Sequence, residues 1–323
     1  MKAILVEKIG GELKCKDHHL REPKEDQVLI DVKYAGVNFP DTLIVEGKYQ
    51  FQPELPFSPG GEVSGVVKEV GAGVGSLKVG DRVVSGTSWG GFAEQAMGFA
   101  CNTHKLPEGV GFKESAAVLM THGTVFHALK DRGHLQKGET LVVLGASGGV
   151  GVAAIQLGKA FGAQVIACAS STEKLEFCKK IGADHTFLYE EETIKKGIKE
   201  LTNGKGADVI FDPVGGRYTE QAFRAIAPMG RYLIIGFAAG QVPAIPMNLP
   251  LLKSASLVGV FWGNFFRNYP NENQENVRQI LNLLKNEVIH PHIDVVLPLT
   301  EATKALKYLK DRKVMGKVLL EIQ

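Results

Sequence analysis

From about residue 115 to residue 262 the chain alternates apolar runs with stretches of helical spacing, and this rhythm restricts the fold more than any other feature. The runs are "TLVVLG" (140–145), "QVIACAS" (164–170), "HTFLY" (185–189), "ADVIFD" (207–212), "RYLIIGF" (231–237) and "SLVGVFW" (256–262). Between the first three lie "GVAAIQLGKAFG" and "STEKLEFCKKIGA", whose apolar residues recur at helical intervals. Strands covered on both faces read as continuous aliphatic runs, and helical crossovers make neighbouring strands parallel. The pattern therefore predicts an α/β fold with a doubly wound, parallel, six-stranded sheet and right-handed crossovers.

The flanks follow another style. Up to about residue 110, short runs such as "QVLIDVKYAGV" and "GEVSGVVKEVGAGVGSLKVGDRVVSG" are punctuated by glycine, which predicts a β-rich region with tight turns. After a helix expected at about 272–287, "DVVLPL", "TEATKALKYLKDR" and "GKVLLEI" read as strand, helix and strand that do not extend the repeat. The expected organisation is a first domain of residues 1–118 completed by 288–323, with a second domain, 119–287, inserted between its two parts.

With 37 basic and 35 acidic residues the net charge is only +2, and apolar residues make up 44%. Such a balance predicts an ordinary globular protein and argues against nucleic acid as a partner, since phosphate binding calls for clustered basic residues. Cys15, Cys101, Cys168 and Cys178 have neither zinc-knuckle nor disulfide-framework spacing, so a reducing, cytoplasmic setting is expected. No stretch offers eighteen uncharged apolar residues, and the start "MKAILVEKIGG" lacks a signal-peptide core; neither export nor a membrane span is expected.

The first strand of the repeat runs into "VVLGASGGVGVAAI" (142–155), where Gly145, Gly148 and Gly151 are spaced GxxGxxG with Gly149 beside them. A glycine turn between a strand and a helix lets backbone N–H groups and the helix N-terminus receive a pyrophosphate. The alternative is a tight turn with close helix packing and no ligand. The next strand ends "ACASSTEK", and Ser170 and Ser171 stand where an acidic side chain would hold the ribose hydroxyls of NAD, with Lys174 one turn later. Hydroxyls and an ammonium suit a 2′-phosphate, so NADP(H) is the expected cofactor; Ser171 can also serve simply as a helix cap.

Taken together, "AGVNFPDTLIVEGKYQFQPELPFSPGGEVSGVVKEVG", "VGDRV", "GASGGVG", "FDPVGG" and "GKVLLEI" resemble the medium-chain dehydrogenase/reductase superfamily, in its zinc-free quinone oxidoreductase (zeta-crystallin-like) branch. The resemblance implies a GroES-like β-rich catalytic domain beside the dinucleotide-binding one. It assigns Asn38 and Thr124 to the nicotinamide end, Ser147, Gly149 and Val150 to the pyrophosphate, and Lys174, Tyr189 and Arg312 to the 2′-phosphate, with Gly236, Phe237 and Phe261 lining the nicotinamide pocket.

Zinc members of the superfamily place a Cys and a His where this chain has Asn38 and Gly61, and neither can replace a thiolate or an imidazole. No metal is therefore expected, and His18, His19, His122, His127, His290 and His292 form no convincing ligand set. Without a Lewis acid, the implied chemistry is hydride transfer from NADPH to an electron-poor quinone or enone, which needs positioning above all. Tyr49, in "EGKYQFQPELP", also resembles the proton-donating tyrosine of 2-enoyl thioester reductases, which leaves that activity as an alternative. A further alternative is a nucleotide-bound structural or RNA-contacting, crystallin-like protein. The apolar strand "SLVGVFW" would suit pairing across a two-fold axis, so a homodimer is expected.

Overall fold

The computed structural model describes residues 1–190 and 192–322, and the chain divides into two compact units. The first unit gathers Met1–Met120, Phe265–Glu287 and Pro291–Gln323; the second holds Thr121–Asn264 and Val288–His290.

In the first unit a mixed sheet runs in the order Ile293–Pro298, Lys317–Glu321, Gln27–Val37, Glu62–Val70, Arg82–Gly86, Thr103–Lys105. The strand Gln27–Val37 is long enough to serve several partners. Its first half pairs with Gln95–Phe99, its last four residues pair antiparallel with Lys317–Glu321, and Glu62–Val70 runs along most of it. Register shifts at Leu29/Ile30 and Val32/Tyr34 re-aim the strand between these roles. Val28, Ile30, Val32, Val63, Val67 and Phe92 point into one core, which Ala302, Ala305 and Leu306 of the helix Ala302–Lys310 close from above. Their i, i+3, i+4 spacing is the apolar stripe of an amphipathic helix. The helix Pro270–Lys285 packs beside Ala100–Asn102 and Thr103–Lys105, so it belongs to this unit as well.

The second unit carries the predicted parallel sheet, in the order His185–Leu188, Gln164–Ala169, Thr140–Val143, Ala207–Asp212, Ile226–Ile234, Ser256–Gly259. Numbered along the chain, that order is 3-2-1-4-5-6, the doubly wound arrangement in which ligands bind where the winding reverses. Here the reversal falls between Thr140–Val143 and Ala207–Asp212, both buried throughout. The helix Gly149–Ala160 lies close against the sheet, because a Cβ on Gly158 would stand 2.7 Å from Leu141 Cδ2. Residues 288–290 join this unit through a two-bond clamp: Gln156 donates to the His290 carbonyl (2.7 Å) and accepts from its amide (3.1 Å).

Candidate functional site

Every strand of the parallel sheet ends on the same side, so the turns that follow them share one edge of the second unit. At the reversal point the turn 144–148 is fixed by its own backbone: the Ala146 amide donates to the Cys168 carbonyl and the Gly148 amide to the Gly145 carbonyl. Gly145 adopts φ +60°, a region that disfavours any Cβ. Gly151 is required for a different reason, since its Cβ would stand 2.5 Å from the carbonyl oxygens of both Gly145 and Ala146. At Gly148 an added Cβ would meet only the Gly145 carbonyl, at 3.6 Å. The helix begins at Gly149 with Gly148 as N-cap, no side chain caps it, and its first turn holds no acid. The amides of Gly149, Val150 and Gly151 thus have no carbonyl of their own helix to bond, and the helix dipole adds positive potential there. Ser147 is buried in the turn. This cradle fits a pyrophosphate.

Beside it, the strand Gln164–Ala169 delivers Ser170 to the exposed edge and Ser171 to the N-cap of the helix Thr172–Lys180. Ser171 Oγ accepts from the Lys174 amide at 3.3 Å, so capping is one of its tasks; its hydroxyl hydrogen stays available to an anion. Lys174 is half-buried one turn on. The Tyr189 amide donates to the Ala169 carbonyl, which places this tyrosine at the same strand end, and its ring meets Tyr218 edge to face at 4.8 Å. The edge therefore gathers Ser170, Ser171, Lys174 and Tyr189 next to the glycine turn. Arg312 belongs to the first unit, exposed and at φ +57°.

On the other side of the reversal point, Asp212 organises the "FDPVGG" turn. Its carboxylate accepts from the Val214 and Gly215 amides, Thr219 Oγ1 and the Tyr232 hydroxyl, at 2.6 to 3.0 Å. Gly215 and Gly216, both at positive φ, let the turn close under Phe237. Gly236 and Phe237 follow the strand Ile226–Ile234, and Phe261 follows Ser256–Gly259, so all three stand on the same edge. Thr124 lies on the helix Leu119–Phe126, where Gly123 leaves room for the Trp262 ring next to Phe261.

In the first unit, Asn38 starts the short helix Phe39–Ile44. Asn38 and Asp41 make an Asn-x-x-Asp box in which the Asn38 amide donates to Asp41 Oδ2 (2.8 Å), while the Gly60 amide donates to Asp41 Oδ1 (3.2 Å). The Asn38 side chain enters a buried network. Lys317 Nζ donates to Asn38 Oδ1 (2.7 Å), to Glu62 Oε2 (2.9 Å) and to the Val37 carbonyl (3.3 Å). Asn38 Nδ2 donates to Glu62 Oε2 and to the Gly36 carbonyl, both at 3.1 Å, and Glu62 Oε1 accepts from the Met120 amide (2.9 Å). Lys317 and Glu62 side chains are 4% and 0% exposed, so the pair is desolvated, and Glu62 Oε2 accepts from both Lys317 and Asn38. Burial pushes the Asp41 carboxyl up to about 7, against the opposing pull of its two backbone donors and Lys317.

Tyr49 is half-buried beyond that helix, its ring edge to face with Phe51 at 6.4 Å. Burial raises its hydroxyl above the ordinary tyrosine range, Arg267 opposes that rise and Asp41 adds to it, so the phenol stays protonated at neutral pH.

Sequence reading passed over Asp41, Glu62, Lys317, Asp212 and Arg267 as site residues. Two of these carried a signal, because Glu62 and Lys317 are charges at the first position of strands whose next three residues are all buried. Two of the histidines bond neighbouring side chains: His122 bonds Thr121 and Gln156, and His127 bonds Asp131. Asn38 spends its amide on neighbours, Gly61 has no side chain, and an ammonium stands against Asn38; this donor set does not fit a zinc ion. Among the described residues no three His, Cys, Asp or Glu side chains gather as a metal site elsewhere, and no helix is long and apolar enough to cross a membrane.

Family models described as "Alcohol dehydrogenase GroES-like domain" and "Zinc-binding dehydrogenase" match residues 24–131 and 149–285. The quinone oxidoreductase-like protein 2 homolog of Nematostella vectensis is 39% identical over 99% of this chain and 88% of its own length. Among solved structures, Escherichia coli quinone oxidoreductase complexed with NADPH superposes with a TM-score of 0.93 at 28% identity, covering 99% of this chain and all of the other. A mycobacterial protein, also complexed with NADPH, gives 0.93 at 31% identity with the same coverage. The α/β class, a GroES-like β-rich part and a Rossmann sheet, is thereby borne out. The chain belongs to the medium-chain dehydrogenase/reductase superfamily, in its quinone oxidoreductase branch.

Proposed function

We propose that the chain is an NADPH-dependent, zinc-independent reductase of quinones or other α,β-unsaturated carbonyls, acting as a cytoplasmic homodimer. The observation that carries the reading is the uncapped, acid-free helix end at Gly149 with Ser170, Ser171 and Lys174 on the neighbouring strand end. NADPH, when bound, supplies the hydride. The amides of Gly149, Val150 and Gly151 and the turn residues Gly145, Ser147 and Gly148 hold its pyrophosphate. Lys174, Tyr189 and Arg312, with the two serines, take the 2′-phosphate, while Gly236, Phe237, Phe261, Thr124 and Asn38 serve the nicotinamide end.

Asn38 keeps one lone pair of Oδ1 unspent after Lys317, and the buried network fixes which way that oxygen points. Tyr49 offers its hydroxyl to the acceptor oxygen, and a reduced quinone takes its protons from that hydroxyl or from water. A second reading, reduction of 2-enoyl thioesters, is favoured by the same tyrosine, whose phenol remains protonated and could deliver a proton to carbon. The dimer is supported by Ser256–Gly259, which forms one edge of the parallel sheet, near exposed Met247, Leu251 and Leu252. Sedimentation at the mass of one chain would refute it.

The test is steady-state turnover of a simple quinone with NADPH and with NADH. A clear NADPH preference with measurable quinone reduction is expected; turnover of enoyl thioesters alone would replace the first reading with the second.

A further inference from the structure

Resting on the reading that Tyr49 faces the acceptor, the structure carries one step further, to the kind of acceptor. Arg267 lies in the last turn of the helix Trp262–Asn268, exposed to solvent. Its guanidinium carbon is 4.5 Å from the centroid of Phe51 and 5.8 Å from that of Phe266. Among the described residues no carboxylate forms an ion pair with it. The charge is felt at Tyr49, whose hydroxyl it draws downward.

A guanidinium held over aromatic rings keeps its edge donors free, because stacking uses only the faces of the plane. Phe51 is exposed and meets Tyr49 edge to face, so the two rings make an aromatic platform whose Phe51 rim is covered by the Arg267 guanidinium, a cation that pairs with no described carboxylate. A flat conjugated ring can lie on such a platform. An anionic substituent on that ring gains a charge-assisted bond from the rim, and a cationic one is repelled.

We propose that Arg267 is a specificity-determining residue that selects conjugated acceptors bearing an anionic group, such as a carboxylate or sulfonate. The probes are 1,4-naphthoquinone and 1,4-naphthoquinone-2-sulfonate, assayed with NADPH on the full-length enzyme and on Arg267→Met and Arg267→Lys. Methionine keeps much of the stem that packs on Phe51 and removes the charge; lysine keeps the charge. Arg267→Met should lower kcat/KM for the sulfonate roughly tenfold, the loss of one charge-assisted bond, and leave the neutral quinone within about twofold. Arg267→Lys should retain most of the sulfonate rate, and the wild-type preference should shrink at high salt.

Equal losses on both quinones would show that Arg267 only anchors the loop that carries Phe51, and no loss on either would show that it does not face the acceptor; both outcomes overturn the proposal. Should neither quinone be reduced by the wild type, the quinone reading itself fails. Charge selection is then decided by equilibrium binding of the same two compounds, followed by quenching of intrinsic fluorescence. An unchanged sulfonate-to-neutral affinity ratio in Arg267→Met would overturn it there too.

Discussion

The glycine turn of the second unit and the buried charge cluster of the first solve opposite problems with the same chemistry. At 145–151 the backbone is folded so that its donors are left over: three first-turn amides, no cap and no acid. Around Asn38 the reverse holds, because the buried Lys317, Glu62 and Asn38 side chains bond one another and neighbouring backbone, and Asp41 accepts from two backbone amides. The first arrangement invites an anion. The second holds the Asn38 side chain in a single orientation, with one lone pair of its oxygen left over. The contrast teaches that glycines can make a binding site by what they leave unbonded, and charges a rigid support by what they use up.

The comparison breaks most visibly at Gly151. Replacing it with valine drives carbon into two carbonyl oxygens 2.5 Å away, so NADPH binding by fluorescence titration should fall by more than about a hundredfold, the cost of displacing several anion contacts. Gly148→Ala, which meets only one carbonyl at 3.6 Å, should fold normally and lose far less affinity. Comparable losses in both would mean that close packing does not define the turn.

In the charge cluster, Lys317→Met leaves Glu62 buried without its cation and should lower the unfolding free energy by about 3 to 5 kcal/mol in urea titrations. Adding Glu62→Gln should recover part of that loss; a single variant as stable as wild type would refute the strength assigned to the pair.

Asp41 gives the cluster a pH signature. Its folded value, about 7, lies above the ordinary carboxyl value of 3.8, so its stabilising contribution is whole below the latter and is lost as pH rises through 7. Wild-type stability should therefore decline as pH rises from 3.8 to about 7 and then level off, with Lys317, Glu62 and Tyr49 as the groups that face Asp41. Asp41→Asn, neutral throughout, should flatten that slope; parallel curves would show that another group titrates.

Smaller effects are expected at the side chains proposed to face ligands. Lys174→Ala should reduce the NADPH over NADH preference roughly tenfold, one charge-assisted bond's worth, without changing NADH turnover. Tyr49→Phe should change quinone reduction by less than about threefold, since water can replace the phenol as proton source, but would cut an enoyl thioester rate by about a hundredfold or more.

Much of the fold could be read from the chain because its two signals are local. Continuous aliphatic runs such as "ADVIFD" become strands buried on both faces, and the glycines of "GASGGVG" sit at the turn where winding reverses. The site's second-unit residues were legible for the same reason, since parallel strands carry their following turns to one edge. What periodicity does not reveal is pairing across long separations. Lys317 meets Asn38 and Glu62 from 279 and 255 residues away, and Arg267 reaches Phe51 from a helix whose sequence, "WGNFFRN", reads as packing. The helix Pro270–Lys285 likewise takes its place beside Ala100–Lys105 through side chains that carry no local mark.

Central to the proposed function is that placement, supported by the Lys317–Glu62–Asn38 network, does the work of a metal. It is tested most directly by NADPH-dependent quinone turnover after exhaustive dialysis against a strong chelator, with zinc content measured in the same sample. The account predicts undiminished turnover with no stoichiometric zinc; activity lost on dialysis and restored by zinc would contradict it.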